Sequence, residues 1–135
     1  MSEASAAFLD GLFGLSGKTA VVIGGTGVLG GAIAEGLAKA GAFVMVAGRG
    51  ADRGEARVAA IQAAGGQAAF ASVDVTSRES VEALLQTTLR TTGQADILVN
   101  CAGVNSALPY LEIPDDEWEK VITTKTKSSF VPQIS

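Results

Sequence analysis

Short unbroken apolar runs alternate along the chain with longer stretches whose apolar residues return every three or four positions. Thr19-Ala20-Val21-Val22-Ile23 is the first such run, and its lack of alternation predicts a strand covered on both faces. Leu29, Ile33 and Leu37 follow at intervals of four, which predicts an amphipathic helix closed by Gly41. A second buried strand is predicted over 43–47. Asp52 is placed to cap a helix that runs to Ala64 and stops at Gly65-Gly66. A third strand is predicted over 68–73. Thr76 and Glu79 have the spacing of a capping box, and the helix behind them sets Val81, Leu84, Leu85, Thr88 and Leu89 on one face. Ile97-Leu98-Val99 predicts a fourth buried strand. Beyond a loop with Pro109 and Pro114, the residues Trp118, Val121 and Ile122 have helical spacing. Residues 1–17 carry little pattern and are read as an N-terminal extension with a short turn at 12–15.

The order is therefore βαβαβαβα. Strands that alternate with helices require parallel pairing and right-handed crossovers. The fold class is α/β, a doubly wound parallel sheet. One half-domain is placed at 18–125, with a divergent tail at 126–135. The chain has 135 residues, 47% hydrophobic and 18% charged, enough for one domain with a true core.

Composition removes several function classes. A net charge of −4 leaves no basic footprint for nucleic acid or an anionic membrane. Without any histidine there is no Ser-His-Asp or Cys-His catalysis and no histidine metal site. A single cysteine, Cys101, excludes an internal disulfide and a multi-cysteine zinc site, and it reads as a small apolar filler. The acids Asp115, Asp116, Glu117 and Glu119 are explained by a helix start rather than by a metal. No apolar run reaches the ~18 residues of a membrane span. No Lys or Arg precedes Lys18, so a signal peptide's basic region is missing and a cytoplasmic location is expected.

Chemistry gathers at Gly25-Thr26-Gly27-Val28-Leu29-Gly30, a G-x-G-x-x-G between a buried strand and an amphipathic helix. The glycines allow a tight turn, a close approach of backbone to a pyrophosphate, and close packing of helix on strand. The free N–H groups at the helix start attract the phosphates. At the end of the second strand, Ala47-Gly48-Arg49-Gly50 offers no carboxylate for a ribose 2′-hydroxyl. Arg49 can instead pair with a 2′-phosphate, which favours NADP over NAD.

These residues resemble the short-chain dehydrogenases/reductases. Gly24 to Gly30 after the first strand, Asp74-Val75-Thr76 after the third, and Asp96 to Gly103 around the fourth fall in that family's order and spacing. The resemblance implies that Gly24, Thr26, Gly27, Leu29 and Gly30 form the pyrophosphate turn. It implies that Asp74 and Val75 flank the adenine, and that Asn100, Ala102 and Gly103 lie near the riboses. It also implies a Rossmann-type sheet with strand order 3-2-1-4, a dinucleotide-binding role for the half-domain at 18–125, and hydride transfer between a nicotinamide and a carbonyl or alcohol. The family's catalytic Ser and Tyr-x-x-x-Lys have no counterpart here: the one tyrosine is Tyr110, and Pro114 stands four places on. The family's helical Asn falls at Lys125, which reads as a surface lysine. No catalytic residue is therefore assigned. Three readings follow. The chain is the cofactor-binding portion of an oxidoreductase, a non-catalytic dinucleotide-binding or assembly module, or an inactive truncated remnant. The unpaired edge expected at the fourth strand implies a homo-oligomer or completion by another chain.

Overall fold

The computed structural model describes residues 2–102 and 110–129, with backbone alone at Tyr110 and at 124–129. Four strands form one parallel sheet: β1 (Thr19–Ile23), β2 (Phe43–Gly48), β3 (Gln67–Ser72) and β4 (Ile97–Asn100). Their order is β3-β2-β1-β4, the order expected. The helices are α1 (Glu3–Phe13), α2 (Val28–Lys39), α3 (Ala51–Ala63), α4 (Arg78–Thr92) and α5 (Asp115–Ser129), with a short 3-10 turn at Tyr110–Glu112.

β1 lies between β2 and β4, and all five of its residues are buried. Alternate side chains along it enter two separate cores. Ala20 and Val22 pack with Val44, Val46, Ala34 of α2 and Ile61 of α3. Val21 and Ile23 pack with Met45, Ala47, and Val81 and Leu84 of α4. This two-sided burial is why the strand sequence shows no polar alternation. Each fully buried valine or isoleucine contributes about 1.5–3 kcal/mol. α2 turns Gly30, Gly31, Ala34 and Ala38 inward, so its backbone rides close to the sheet. At the amino end of the sheet, β4 is fastened to β1 by side chains. The Thr19 N–H donates to Asp96 Oδ2 at 2.8 Å, and the Asp96 N–H donates to the Thr19 carbonyl at 2.9 Å.

The structure departs from the sequence pattern in four places. The N-terminal extension is not a turn but the helix α1, capped by Ser2, whose hydroxyl accepts from the Ser5 N–H. None of its residues is buried, so it lacks the core-facing stripe by which a helix is recognised. Gly50, not Asp52, is the N-cap of α3; Asp52 sits inside the first turn, where its charge meets the helix dipole. α4 is capped by Ser77 accepting from the Ser80 N–H, not by a Thr76–Glu79 box, because Thr76 is turned back onto Asp74. α2, by contrast, closes as expected: Ala40 is its C-cap, and Gly41 follows with φ of 107°, its N–H donating to the Ala38 carbonyl. Finally, β4 lies at the edge expected of it but is not the buried strand predicted, and it leaves Leu98 38% exposed. Leu98 pairs with Val21 in the register, and α4 packs chiefly over β2 and β3.

Candidate dinucleotide-binding site

The loops that leave β1, β2, β3 and β4 converge at the carboxyl edge of the sheet. They enclose a cleft of about 560 Å³, a size suited to a small-molecule ligand. β1 and its turn contribute Ile23, Gly24, Thr26 and Gly27; β2 contributes Gly48 and Arg49. Val73, Val75 and Thr76 come from the loop after β3, and Cys101 and Ala102 from the loop after β4.

Three glycines of the turn do different work. Gly24 has φ of 84°, and a Cβ there would stand 2.8 Å from the Cys101 carbonyl. A Cβ on Gly30 would stand 2.1 Å from the Gly24 carbonyl oxygen, so Gly30 lets α2 press onto the turn. Gly27 is different: its nearest neighbour would be the Gly24 oxygen at 3.4 Å, an ordinary contact. The fold does not require glycine at 27. Gly27 is the N-cap of α2, has no side chain to cap it, and borders the cleft. A bare helix N-terminus on an open cleft fits a pyrophosphate.

At the far end, Arg49 Nη2 lies 3.1 Å from Asp74 Oδ1. The same carboxylate accepts from the Thr76 hydroxyl at 2.7 Å and the Thr76 N–H at 3.0 Å. Those Thr76 bonds first, and then Arg49, hold Asp74 below its ordinary pKa. The Asp74 N–H in turn donates to Ser80 Oγ, which fixes the loop to α4. At β4 the Ala102 N–H donates to Asn100 Oδ1 at 3.2 Å, so Asn100 shapes the turn that faces Gly24.

Of the residues singled out in the sequence, Gly24, Thr26, Gly27, Arg49, Val75 and Ala102 line the cleft. Asp74 stands beside it through Arg49, and Asn100 acts through Ala102. Gly30 is buried beneath the turn, and Leu29 stands 68% exposed outside the cleft walls. Gly103 and Pro109 lie outside the described residues, as does the side chain of Lys125. Cys101, read as a small apolar filler, is half-buried and borders the cleft. The carboxylate expected to be missing near Arg49 is supplied from another strand, by Asp74. Two further residues of the wall, Lys120 and Thr123, come from α5. No motif marks them, because only the fold brings α5 to this edge.

Among the described residues no group of three acidic or thiol side chains could hold a metal. No described helix is long and apolar enough to cross a membrane.

Comparison with known proteins agrees with this geometry. Residues 18–133 match the family model of the short chain dehydrogenases. The chain is 39% identical over 114 residues to a 3beta-hydroxysteroid dehydrogenase of Mediterraneibacter gnavus, covering 84% of this chain and 41% of that protein. It is 32% identical over 123 residues to the 5-keto-D-gluconate 5-reductase of Escherichia coli K12, covering 91% of this chain and 48% of that protein. Among solved structures, a dehydrogenase/reductase from Sinorhizobium meliloti 1021 superposes with a TM-score of 0.85 at 34% identity, over 93% of this chain and 50% of that one. The chain belongs to the short-chain dehydrogenase family, and it spans about half the length of the relatives it matches.

Proposed function

We propose that the chain binds an NAD(P) dinucleotide as the cofactor half of an oxidoreductase. The observation that carries this reading is Gly27, a glycine the fold does not need, at an uncapped helix start on the cleft. In such an enzyme hydride passes between the nicotinamide and a carbonyl or alcohol carbon. The residues of this chain bind and orient; none is assigned to proton transfer, because the sequence holds no Tyr-x-x-x-Lys. The site residues are Gly24, Thr26, Gly27, Arg49, Asp74, Val75, Asn100 and Ala102. NADP is the favoured form, supported by the cationic end of β2. A cytoplasmic location fits a chain of this kind.

A second reading, a non-catalytic binding or assembly module, is supported by the edge position of β4 among the described residues. Both readings make the chain associate, with a second copy or with a polypeptide that pairs with β4.

Calorimetric titration of the purified chain with NADP and NAD tests the shared claim. Binding in the wild type is expected, with loss in Gly27→Asp, where a carboxylate enters the phosphate position. No reduction of NADP by simple alcohols is expected from this chain alone. A wild type that binds neither dinucleotide sinks the proposal, whereas steady turnover shows that proton transfer resides within these residues.

A further inference from the structure

The wall of the cleft carries two cations, and they come from different parts of the fold. Among the described residues that line it, Arg49 and Lys120 are the charged ones. Arg49 follows the end of β2, whereas Lys120 belongs to α5, the helix that comes after β4. β1 lies between β2 and β4 in the sheet. The glycine turn that leaves β1 therefore stands between the strand that leads to Arg49 and the strand that leads to α5.

A second residue fixes which face of α5 meets the cleft. Thr123 also lines the wall, and residues three apart are neighbours on a helix surface. At 3.6 residues per turn, Trp118 and Ile122 fall on the opposite side of α5, and both are exposed. The helix begins with Asp115, Asp116 and Glu117, none of which lines the cleft. The ammonium of Lys120 is thus the charge that α5 brings to the wall.

The chemistry of a dinucleotide decides which part of it this ammonium meets. Adenine and ribose are neutral, whereas the pyrophosphate is anionic. The turn from Gly24 to Gly30 holds no charged side chain. It offers N–H groups and the start of α2, equivalent to about half a positive charge. Most of the pyrophosphate charge is left for a side chain to meet, and a lysine ammonium on a flexible stem serves phosphate as a point charge. Arg49, at the end of β2, stands where the adenosine ribose lies rather than at the turn.

We propose that Lys120 holds the pyrophosphate from the α5 side of the cleft, so that α5 is part of the cofactor site. This rests on the dinucleotide reading and adds to it a cation that the G-x-G-x-x-G pattern does not contain.

The test is titration calorimetry on the whole chain with adenosine, adenosine 5′-diphosphate and NAD. Lys120→Gln keeps most of the stem and removes the charge; the residue is exposed, so no core is disturbed. The variant is expected to bind the diphosphate and NAD about fivefold more weakly, the scale of a charge-assisted contact open to solvent. Its affinity for adenosine and its thermal midpoint are expected to stay at the wild-type values. Added salt is expected to weaken diphosphate binding more steeply in the wild type than in Lys120→Gln, because salt screens an exposed ionic contact. Lys120→Arg is expected to restore most of the loss. Glu119→Gln, one position back and outside the wall, changes net charge by the same amount and is expected to leave diphosphate binding unchanged. The proposal fails if Lys120→Gln binds the diphosphate as the wild type does, or if it loses adenosine to the same extent. It also fails if Glu119→Gln tightens diphosphate binding as much as Lys120→Gln loosens it, which would make the effect one of net charge. Wild-type NAD affinity in Lys120→Gln strikes this proposal alone, whereas a wild type that binds none of the three ligands strikes the dinucleotide reading and this proposal with it.

Discussion

At the scale of single residues, the glycine turn separates folding from binding. Gly30→Ala places a methyl group 2.1 Å from the Gly24 carbonyl oxygen, and the backbone cannot yield that far. A loss of about 1–3 kcal/mol is expected, as for other overpacked sites, measured by urea denaturation. Gly27→Ala meets only an ordinary contact, so its denaturation midpoint is expected to stay near that of the wild type while dinucleotide affinity falls. Asp74 supplies a pH signature. Its folded pKa is depressed, by Thr76 first and by Arg49 after it. Its contribution to stability is therefore complete above the ordinary carboxylate value of about 4 and is lost as pH falls through the folded pKa. Stability of the wild type is expected to fall more steeply below pH ~4 than that of Asp74→Asn. Equal slopes would show that Asp74 is bonded alike in the folded and unfolded chain. The G-x-G-x-x-G pattern was readable because local order suffices to define a turn. The Arg49–Asp74 pair was not readable: the partners are 25 positions apart and meet only because β2 and β3 are neighbours.

At the scale of elements, legibility follows burial. β1 and β2 are covered on both faces, and their apolar runs announce them. β4 has the same apolar composition yet is an edge, since a run of three apolar residues does not say whether a helix covers it. α1 escaped notice for the converse reason. Its helicity rests on the Ser2 cap and local propensity, with no buried face to impose a period. Ser77 replaced the expected Thr76 because Asp74 draws the Thr76 hydroxyl away. Ser77→Ala is expected to destabilise the chain by about 1 kcal/mol in chemical denaturation, the usual worth of an N-cap hydroxyl. Thr76→Ala is expected to act instead on Asp74, reducing the acid sensitivity described above. If both variants lose stability equally and independently of pH, the two roles are misassigned.

At the scale of the whole molecule, the sheet ends on two strands, β3 and β4, each paired with a single neighbour among the described residues. β4 also exposes Leu98. An apolar edge with unpaired backbone groups favours association. Analytical sedimentation at micromolar concentration is expected to show a species larger than the 13.6 kDa monomer, and Leu98→Lys is expected to shift it toward the monomer. A wild type that sediments as a monomer at every concentration would show that the edge is protected. The edge at β4 was legible from the expected strand order, because that order decides which strands end the sheet.

α5 joins these scales in a way that bears on how the protein can be watched. It supplies Lys120 and Thr123 to the cleft wall, and it also carries Trp118, the sole tryptophan of the chain, 47% exposed. All indole emission therefore has one origin, on the helix that closes one side of the cleft. A ligand that draws α5 inward changes the polarity around that single ring, and the chain reports its own occupancy in the colour of its fluorescence, with no label attached.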